Sequence, residues 1–265
     1  MNPRLLRGSF NFLRAMMSLN NWSRSPKHIL RKKCLDDVIK NFRLGCFLEL
    51  GAGNGDLTKF FIDKGFNGKC YDIGFQTRVI LREIFSSYDV GVIDVLDGFD
   101  EVSENYFDYL FAFEVLEHIE NDIEALISWS RYLKSGGILL LSVPAHMQAF
   151  GLEDRAVGHY RRYEKNELYS MLEQCGYQDI IVYNYGFPLG NITRKISAFL
   201  RREKIADKQL TMEQKSILSG IERGEFTNRV SFLFNDYTLL PFILIQRFFY
   251  SKDLGDGYIL CAKKL

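Results

Sequence analysis

The chain lacks several features that would place it in a restricted class of protein. Its five cysteines form no CxxC pair, and an odd, scattered set of this kind suits a reducing compartment. No stretch reaches the ~18 uninterrupted apolar residues of a membrane-spanning helix. Prolines number only five among 265 residues, and no repeats or low-complexity tracts occur. The composition, at 47% hydrophobic and 25% charged, is that of a globular chain with a well-buried core.

Charge is nearly balanced, and a net charge of +1 argues against a dedicated nucleic-acid-binding protein. The first 45 residues are the exception, because they carry ten Lys and Arg against two Asp. Arg4, Arg7 and Arg14 interrupt each apolar run there, so the segment lacks the continuous apolar core of a secretory signal. We interpret residues 1–45 as a basic helical segment that packs on the domain of a cytoplasmic protein. An Arg-rich organellar presequence is the alternative.

Short apolar runs alternate with helical periodicity from residue 46 to about 184, which predicts a parallel sheet with crossover helices. We therefore predict an α/β core formed by residues 46–185 together with 257–265. The predicted strands are 46–50, 69–73, 90–95, 107–113, 138–143, 179–183 and 258–262. The predicted helices of this core are 57–64, 77–86, 119–133 and 165–175.

A segment of about 70 residues, 186–256, separates the last two predicted strands. Insertions of this length in compact domains are usually functional lids or disordered linkers. This one is not linker-like, because Ile192, Ile196, Phe199 and Leu200 form one apolar helical face and 230–250 is rich in Phe and Leu. We interpret it as a helical cap. It either shapes a pocket on the sheet edge, joins the basic N-terminal segment on an anionic membrane surface, or forms a dimer interface.

A glycine turn follows the first predicted strand, in the stretch FLELGAGNGD at residues 47–56. Glycines in such a turn adopt positive φ and let a ligand approach the main chain closely. A dinucleotide-binding fingerprint needs Gly or Ala at position 56, where this chain has Asp56. The turn also lacks the Lys-Ser/Thr pair of a phosphate-binding loop. The pattern therefore gives no sign of a pyrophosphate site.

Acidic residues instead follow the predicted strands at the edge where α/β sheets bind ligands. Glu49 lies beside the glycines and suits a cationic ligand. Asp72 ends the second strand, where a carboxylate binds vicinal ribose hydroxyls, and Asp94 ends the third, within reach of an adenine amino group. Three strand-end acids favour a nucleoside that carries positive charge, and S-adenosylmethionine, with its sulfonium and ammonium groups, meets that description.

These residues resemble the motifs of class I S-adenosylmethionine-dependent methyltransferases. LELGAGNG at 48–55 resembles the first motif, Asp72 and Asp94 match the ribose and adenine positions, and FEVLEHI at 113–119 resembles the motif after the fourth strand. The resemblance implies a Rossmann-like sheet of seven strands in the order 3-2-1-4-5-7-6, with strand 7 antiparallel. It also implies that S-adenosyl-L-methionine contacts Glu49, Gly51, Ala52, Gly53, Asn54, Gly55, Asp72, Ile73, Asp94, Val95, Glu114 and His118.

A narrower resemblance involves VPAH at 143–146 and GHYRRY at 158–163. Both are similar to motifs of a bacterial subgroup of these enzymes that is associated with cell-envelope and glycan pathways. The association suggests a small or lipid-linked acceptor.

Three of the four histidines, His118, His146 and His159, fall in loops at the expected ligand-binding edge of the sheet. Histidine titrates near neutral pH and is a natural proton acceptor. We predict His146 as the leading general base, with His159 or Tyr160 positioning the substrate. His118 is expected to help hold the cofactor site.

Arg161, Arg162 and Tyr163 are predicted to bind the substrate, because an arginine pair suits a carboxylate or phosphate. One alternative is a solvated or helix-capping pair of arginines, and another is a structural latch in which Asp154 and Arg155 pair with them. No His, Asp or Glu spacing matches a zinc or iron pattern, so the sequence predicts no metal site.

The sequence thus predicts an enzyme that transfers a methyl group to oxygen or nitrogen of its acceptor. Two alternatives are aminopropyl transfer from the decarboxylated cofactor, which the basic 161–162 pair disfavours, and a non-catalytic partner protein that binds the cofactor. The expected partners are a small-molecule or lipid-linked substrate and no nucleic acid, in a monomer or homodimer with peripheral membrane contact as a further option.

Overall fold

The computed structural model describes residues 25–100, 102–201 and 234–265. Some of the sequence predictions concern residues outside the described part. These are residues 1–24, the side chains of Phe199 and Leu200, and residues 230–233 of the Phe-rich stretch.

Seven strands form one sheet. They are β1 (Cys46–Leu50), β2 (Asn67–Tyr71), β3 (Ile93–Val95), β4 (Phe107–Phe113), β5 (Leu133–Pro144), β6 (Tyr177–Tyr185) and β7 (Gly257–Lys264). Their spatial order is β3-β2-β1-β4-β5-β7-β6. β7 pairs antiparallel with both β5 and β6, whereas the other pairs are parallel. The predicted order and the antiparallel last strand are therefore confirmed.

The helices of the described residues alternate with these strands. They are α1 (Pro26–Val38), α2 (Asp56–Asp63), α3 (Phe75–Phe85), α4 (Asp122–Ser130), α5 (Leu152–Val157), α6 (Lys165–Gln174), α7 (Leu189–Arg201) and α8 (Leu240–Arg247). The helix predicted at 119–133 is shorter, because a 3-10 turn occupies Leu116–His118 and β5 already begins at Leu133. The strand predicted at 69–73 lies two residues earlier, in register with β1.

The core lies on both faces of the central strands, which explains why β1 and β4 are almost continuously apolar. On one face, Phe47, Phe61 and Phe111 form an aromatic cluster, with the rings of Phe61 and Phe111 only 4.1 Å apart between centroids. On the other face, Leu48 and Leu110 belong to a cluster that includes residues of α4 and α6. This packing immobilises the strands whose carboxyl ends carry the motifs.

The N-terminal helix α1 packs against the segment between β6 and β7. It begins after Ser25, whose hydroxyl accepts a hydrogen bond from the His28 N–H, with Pro26 in the first turn. Ile29 and Leu30 form a small apolar cluster with Leu239 and Ile243 of the α8 region. Two stretches that are far apart in sequence therefore meet in the fold. Among the residues that the structure describes, no helix is long and apolar enough to cross a membrane.

Candidate active site

A cavity of about 540 Å³ lies at the carboxyl ends of β1, β2 and β4. This is the edge at which α/β sheets bind ligands. The predicted site residues that line it are Glu49, Gly51, Ala52, Gly53, Asn54, Asp72, Ile73, Glu114, His118, His159 and Tyr160. Residues that the sequence analysis did not single out also line it, among them Lys27 and Arg31 of α1 and the aromatic side chains of Phe99 and Trp129.

The glycine turn adopts the backbone that its sequence predicts. Gly51, Gly53 and Gly55 all have positive φ, at 70°, 54° and 73°. A methyl group at Gly51 would overlap the Val115 side chain, so this position requires glycine for packing as well as for its conformation. Gly55 does not line the cavity. Its open side faces α3, where a methyl group at this position would meet the side chains of Leu81 and Phe85.

Asp72 is buried and holds the turn to the cavity wall. Its carboxylate accepts hydrogen bonds of 2.9 Å from the backbone N–H groups of Gly53 and Gly74. Burial raises its pKa above the usual value. The carboxylate is thus fixed at the cavity, with remaining lone pairs for a hydroxyl-bearing ligand.

Glu49 is only 2% exposed, and its carboxyl group accepts a hydrogen bond of 2.5 Å from the Thr58 hydroxyl. Burial raises the pKa of Glu49 to about 8, although Thr58 and Arg31 oppose the shift. A cation in the cavity would stabilise the ionised form of this group. Glu49 therefore suits the cationic ligand that the sequence predicted.

Glu114 follows β4 with a positive φ of 57°, a conformation that is uncommon for residues other than glycine. Lys27 Nζ lies 3.2 Å from its Oε2 and Arg31 Nη1 lies 3.4 Å from its Oε1. Burial opposes ionisation, but Lys27 and Arg31 hold the pKa of Glu114 well below its usual range. The spacing of Lys27 and Arg31 predicts one helix face. It does not predict that this face would reach the cavity.

Glu117, His118 and His159 lie close together beyond Glu114, and the two histidines line the cavity. His118 donates from Nδ1 to the carbonyl oxygen of Gly158 at 3.1 Å, and its ring lies 4.6 Å from that of His159 between centroids. His159 Nδ1 lies 3.0 Å from the Asp154 carboxylate, and its Nε2 lies 3.8 Å from the Glu117 carboxyl group. Burial lowers the pKa of His118 to about 4. His118 is therefore neutral near neutral pH.

His146, which the sequence predicts as the leading general base, does not line this cavity. Its φ of 65° turns the residue away from the end of β5, and its ring is held between Glu164 (3.5 Å) and Asp253 (3.7 Å). The sequence placed His146 correctly after the fifth strand. The direction of its side chain was set by the backbone conformation of the loop.

The three residues that the sequence predicts to bind the substrate also do not line the cavity: Arg161, Arg162 and Tyr163. Arg161 donates to the Asp122 carboxylate at 2.9 Å, and Tyr163 donates to the same carboxylate at 3.0 Å. Arg162 is buried and donates to Asp154 at 2.9 Å.

Arg162 also lies 3.3 Å from Asp256, next to the start of β7. The structural latch is therefore the correct alternative for Arg162 and Asp154. Arg155 is not part of it, and its guanidinium lies over the Phe150 ring instead.

Asp94, the third acidic residue that the sequence predicts at the end of a strand, does not line the cavity. Asp94 lies opposite Lys69 in the β2–β3 pair, its side chain is 63% exposed, and it forms an ion pair of 3.4 Å with Lys69. Neither Asp94 nor the buried Val95 lines the cavity, so their predicted cofactor contacts are not supported. Lys69 is the middle residue of β2, so Asp94 lies alongside the strands rather than beyond their carboxyl ends.

The remaining lining residues fit S-adenosylmethionine. The fixed Asp72 carboxylate is placed for ribose hydroxyls, the glycine turn for close approach of the main chain, and Glu49 for a positive charge. Ile73 and Phe99 offer apolar surface for a base. The lining has no Walker-type lysine, and the cations of α1 are already paired with Glu114.

Comparison with known proteins agrees with this reading of the cavity. A family model described as "Methyltransferase domain" matches residues 26–181, more than half of the chain. No curated protein sequence gives a significant match.

Several solved structures share the fold at low sequence identity. A candidate sarcosine dimethylglycine methyltransferase from Galdieria sulphuraria is 14% identical, with a TM-score of 0.55 over 88% of this chain and 84% of that one. A methyltransferase from Archaeoglobus fulgidus is 16% identical, with a TM-score of 0.52 over 91% and 95% of the two chains.

Phosphoethanolamine N-methyltransferase 2 of Haemonchus contortus, in complex with S-adenosyl-L-methionine, is 16% identical with a TM-score of 0.55. The match covers 88% of this chain but only 52% of the Haemonchus enzyme, so this chain spans about half of its length. At these identities the structural likeness shows the fold, whereas the family match extends over most of the motifs described above. The chain belongs to the class I S-adenosylmethionine-dependent methyltransferases.

Proposed function

We propose that this enzyme methylates an oxygen or nitrogen atom of a small or lipid-linked acceptor that enters beside His118, His159 and Tyr160. The observation that carries the proposal is that one cavity contains both halves of such a site. Glu49 and Asp72 lie at its cofactor end, and the two histidines lie within the same wall.

The cofactor supplies an electrophilic methyl group, and the protein supplies position. Methyl transfer gains most from holding the acceptor atom and the methyl group in line, because a fixed geometry removes much of the entropic barrier. Asp72 and the glycine turn would hold the nucleoside end. Glu49 would face positive charge, and His159 would activate the acceptor where its proton must leave. Tyr160 is partly exposed at the cavity and would orient the acceptor.

The acceptor class rests on two observations. The Haemonchus contortus enzyme is named for a small phosphorylated amine, which supports a small-molecule acceptor. The exposed apolar side chains of Leu240, Leu244 and Phe248 on α8 and directly after it support contact with a lipid surface. The 186–256 segment would then deliver a lipid-linked acceptor to the cavity.

The aminopropyl-transfer alternative needs a new argument, because Arg161 and Arg162 do not face the cavity. Lys27 and Arg31 line it and are paired with Glu114, so this carboxylate is already occupied and does not offer a polyamine an open acidic partner. A non-catalytic role is disfavoured because His118 and His159 are held by defined partners at the cavity rather than turned outward.

Turnover of S-adenosylmethionine with a panel of acceptors tests the proposal. The panel contains small alcohols, phenols and amines, and lipid-linked glycan intermediates in anionic vesicles. We expect production of S-adenosylhomocysteine and a methylated product with at least one class. Product formation only from decarboxylated cofactor and a polyamine, or cofactor binding with no turnover of any acceptor, would contradict it.

Replacing Asp72 by alanine is expected to weaken S-adenosylhomocysteine binding by about 1–3 kcal/mol, because the ribose loses hydrogen bonds to a fixed carboxylate. Asp94→Ala is the matched control, since that carboxylate is exposed and paired with Lys69. Its affinity should equal that of the unmodified protein in calorimetric titration. Equal losses in both variants would restore the adenine-binding assignment of Asp94.

Affinity for S-adenosylmethionine is expected to rise with pH and to level off above about pH 8. Below its pKa of about 8, the Glu49 carboxyl group is protonated in the empty site, and a cation must displace that proton to bind the ionised form. The affinity should change by up to about tenfold per pH unit in that range.

Glu49→Gln is the control for this pH dependence, because it removes the titration while keeping the shape of the side chain. Titrations between pH 6 and 9 in both proteins isolate the contribution of Glu49 from that of the ligand and of the neighbouring Arg31, Asp56 and Asp72. Identical pH profiles in the two proteins would exclude it.

A further inference from the structure

The Glu117 carboxyl group is buried without a hydrogen-bond partner among the described residues. It is 0% exposed, and neither carboxyl oxygen makes a hydrogen bond with any residue that the structure describes. Burying a polar group in this way is strongly unfavourable unless something compensates it. Oε1 points toward Nε2 of His159 at 3.8 Å, a separation too long for a hydrogen bond.

The two neighbouring histidines each have one nitrogen committed and one nitrogen free. A carbonyl oxygen only accepts hydrogen bonds, so the contact with Gly158 places the proton of neutral His118 on Nδ1 and leaves its Nε2 lone pair free. His159 donates from Nδ1 to the Asp154 carboxylate, which also accepts a hydrogen bond from Arg162. In its neutral form, His159 therefore also has a free Nε2 lone pair.

Metal-binding histidines are usually oriented in this way, with the second ring nitrogen donating to a carbonyl or carboxylate oxygen. One donor atom from each of Glu117, His118 and His159 lies within 4.8 Å of those of the other two. Donors that share a metal at about 2.0–2.2 Å are separated by about 3–3.5 Å, so a small side-chain movement closes the set.

We propose that Glu117, His118 and His159 bind a divalent transition-metal ion at the wall of the cavity. Two imidazoles and one carboxylate suit Mn²⁺, Fe²⁺, Co²⁺ or Zn²⁺, and three protein ligands leave coordination positions open. His118 and His159 line the cavity, so the open positions face the acceptor. The ion would also compensate the buried Glu117 carboxylate.

This inference rests on the proposed function and gives its acceptor site a chemical class. An acceptor with a hydroxyl group, or two adjacent ones, would be oriented by the metal through oxygen. With its Nε2 on the metal, His159 would act through the ion rather than as the base itself. The hydroxyl proton would pass to solvent, because a bound cation lowers the pKa of an oxygen ligand. The sequence analysis did not find this site, since His159 is separated from the adjacent Glu117 and His118 by about forty residues.

Metal uptake by the full-length protein tests the inference without any acceptor. After treatment with a chelator and dialysis, the protein is titrated with Zn²⁺ and with Mn²⁺ in the presence of S-adenosylhomocysteine. We expect one equivalent of at least one metal to bind. The affinity should fall at least tenfold in Glu117→Gln and in His159→Ala, and stay unchanged in His146→Ala, whose ring lies outside the cavity between Glu164 and Asp253.

Each variant is checked for folding by its melting temperature and by its affinity for S-adenosylhomocysteine. If Glu117→Gln fails this check, Glu117→Asp, which keeps a carboxylate on a shorter side chain, replaces it. Absence of metal binding to the unmodified protein would overturn the inference. So would Glu117 and His159 variants that bind the metal as tightly as the unmodified protein. Turnover that survives removal of the metal would overturn its role toward the acceptor. Either result leaves the proposed function standing, because that function is judged by the acceptor panel.

Discussion

Replacing His159 by alanine is expected to lower the rate of methyl transfer by about 10²–10⁴-fold at saturating substrate. Nε2 of His159 faces the cavity near Glu117, while Nδ1 is held by the Asp154 carboxylate. In the proposed function, the variant therefore loses the group that would activate the acceptor but keeps the glycine turn and Asp72. Affinity for S-adenosylhomocysteine should remain within a few-fold of the original value, and single-turnover measurements separate the two effects.

His146→Ala is the matched control for this experiment. Both histidines lie in loops and contact carboxylates, but only His159 lines the cavity. We expect the His146 variant to turn over within a few-fold of the unmodified enzyme. A large loss in His146→Ala with little change in His159→Ala would show that the acceptor approaches from the opposite side of the 158–163 loop.

Arg162→Met is expected to lower the free energy of unfolding by about 3 kcal/mol, toward the lower end of the range for breaking a buried ion pair. Arg162 is buried between Asp154 and Asp256, and its loss leaves both carboxylates with weaker compensation. The expected loss of unfolding free energy stays near the lower end of this range because each carboxylate keeps one partner. Arg194 lies 2.6 Å from Asp256, and His159 still donates to Asp154. Equilibrium denaturation with urea measures it.

Arg161→Met removes a neighbouring arginine of the same motif and serves as the control. Its guanidinium is about a third exposed and pairs with Asp122, which also accepts a hydrogen bond from Tyr163. The expected change is within about 1 kcal/mol. If Arg162→Met were as stable as the unmodified protein and only raised the KM for the acceptor, the substrate-binding assignment would be correct after all.

These two experiments test the parts of the site where sequence and structure disagree. The GHYRRY stretch contains both kinds of residue, because His159 and Tyr160 face the cavity while Arg161 and Arg162 are turned into ion pairs. A motif of six residues therefore has no single role. The arginines pin the loop to α4 and β7, and the histidine beside them acquires a fixed orientation from the same Asp154 carboxylate.

The sheet and the cofactor end of the cavity follow from local sequence patterns. Apolar runs of strand length predicted β1 and β4 with their observed bounds, because both strands are buried on two faces and flanked by turn residues. Gly51 and Gly53 have the positive φ values expected of the turn that connects β1 to its helix. Asp72 is placed by its position directly after β2. Residues close in sequence decide such features.

The acceptor end was decided by contacts between distant residues. Lys27 reaches Glu114 across 87 positions, and the grouping of His159 with Glu117 and His118 depends on how the loop after α5 folds back over β4. The sequence predicted Asp94 and His146 at the ends of strands. Asp94 instead lies within β3, opposite Lys69, and His146 follows β5 with a positive φ, and neither residue lines the cavity. The sequence by itself determined which elements form and how the glycine turn after β1 is built, because hydrophobic periodicity and glycine conformations are local properties. Only the tertiary structure decided which charged side chains face the acceptor, because burial leaves each of them stable only where packing brings a partner within reach.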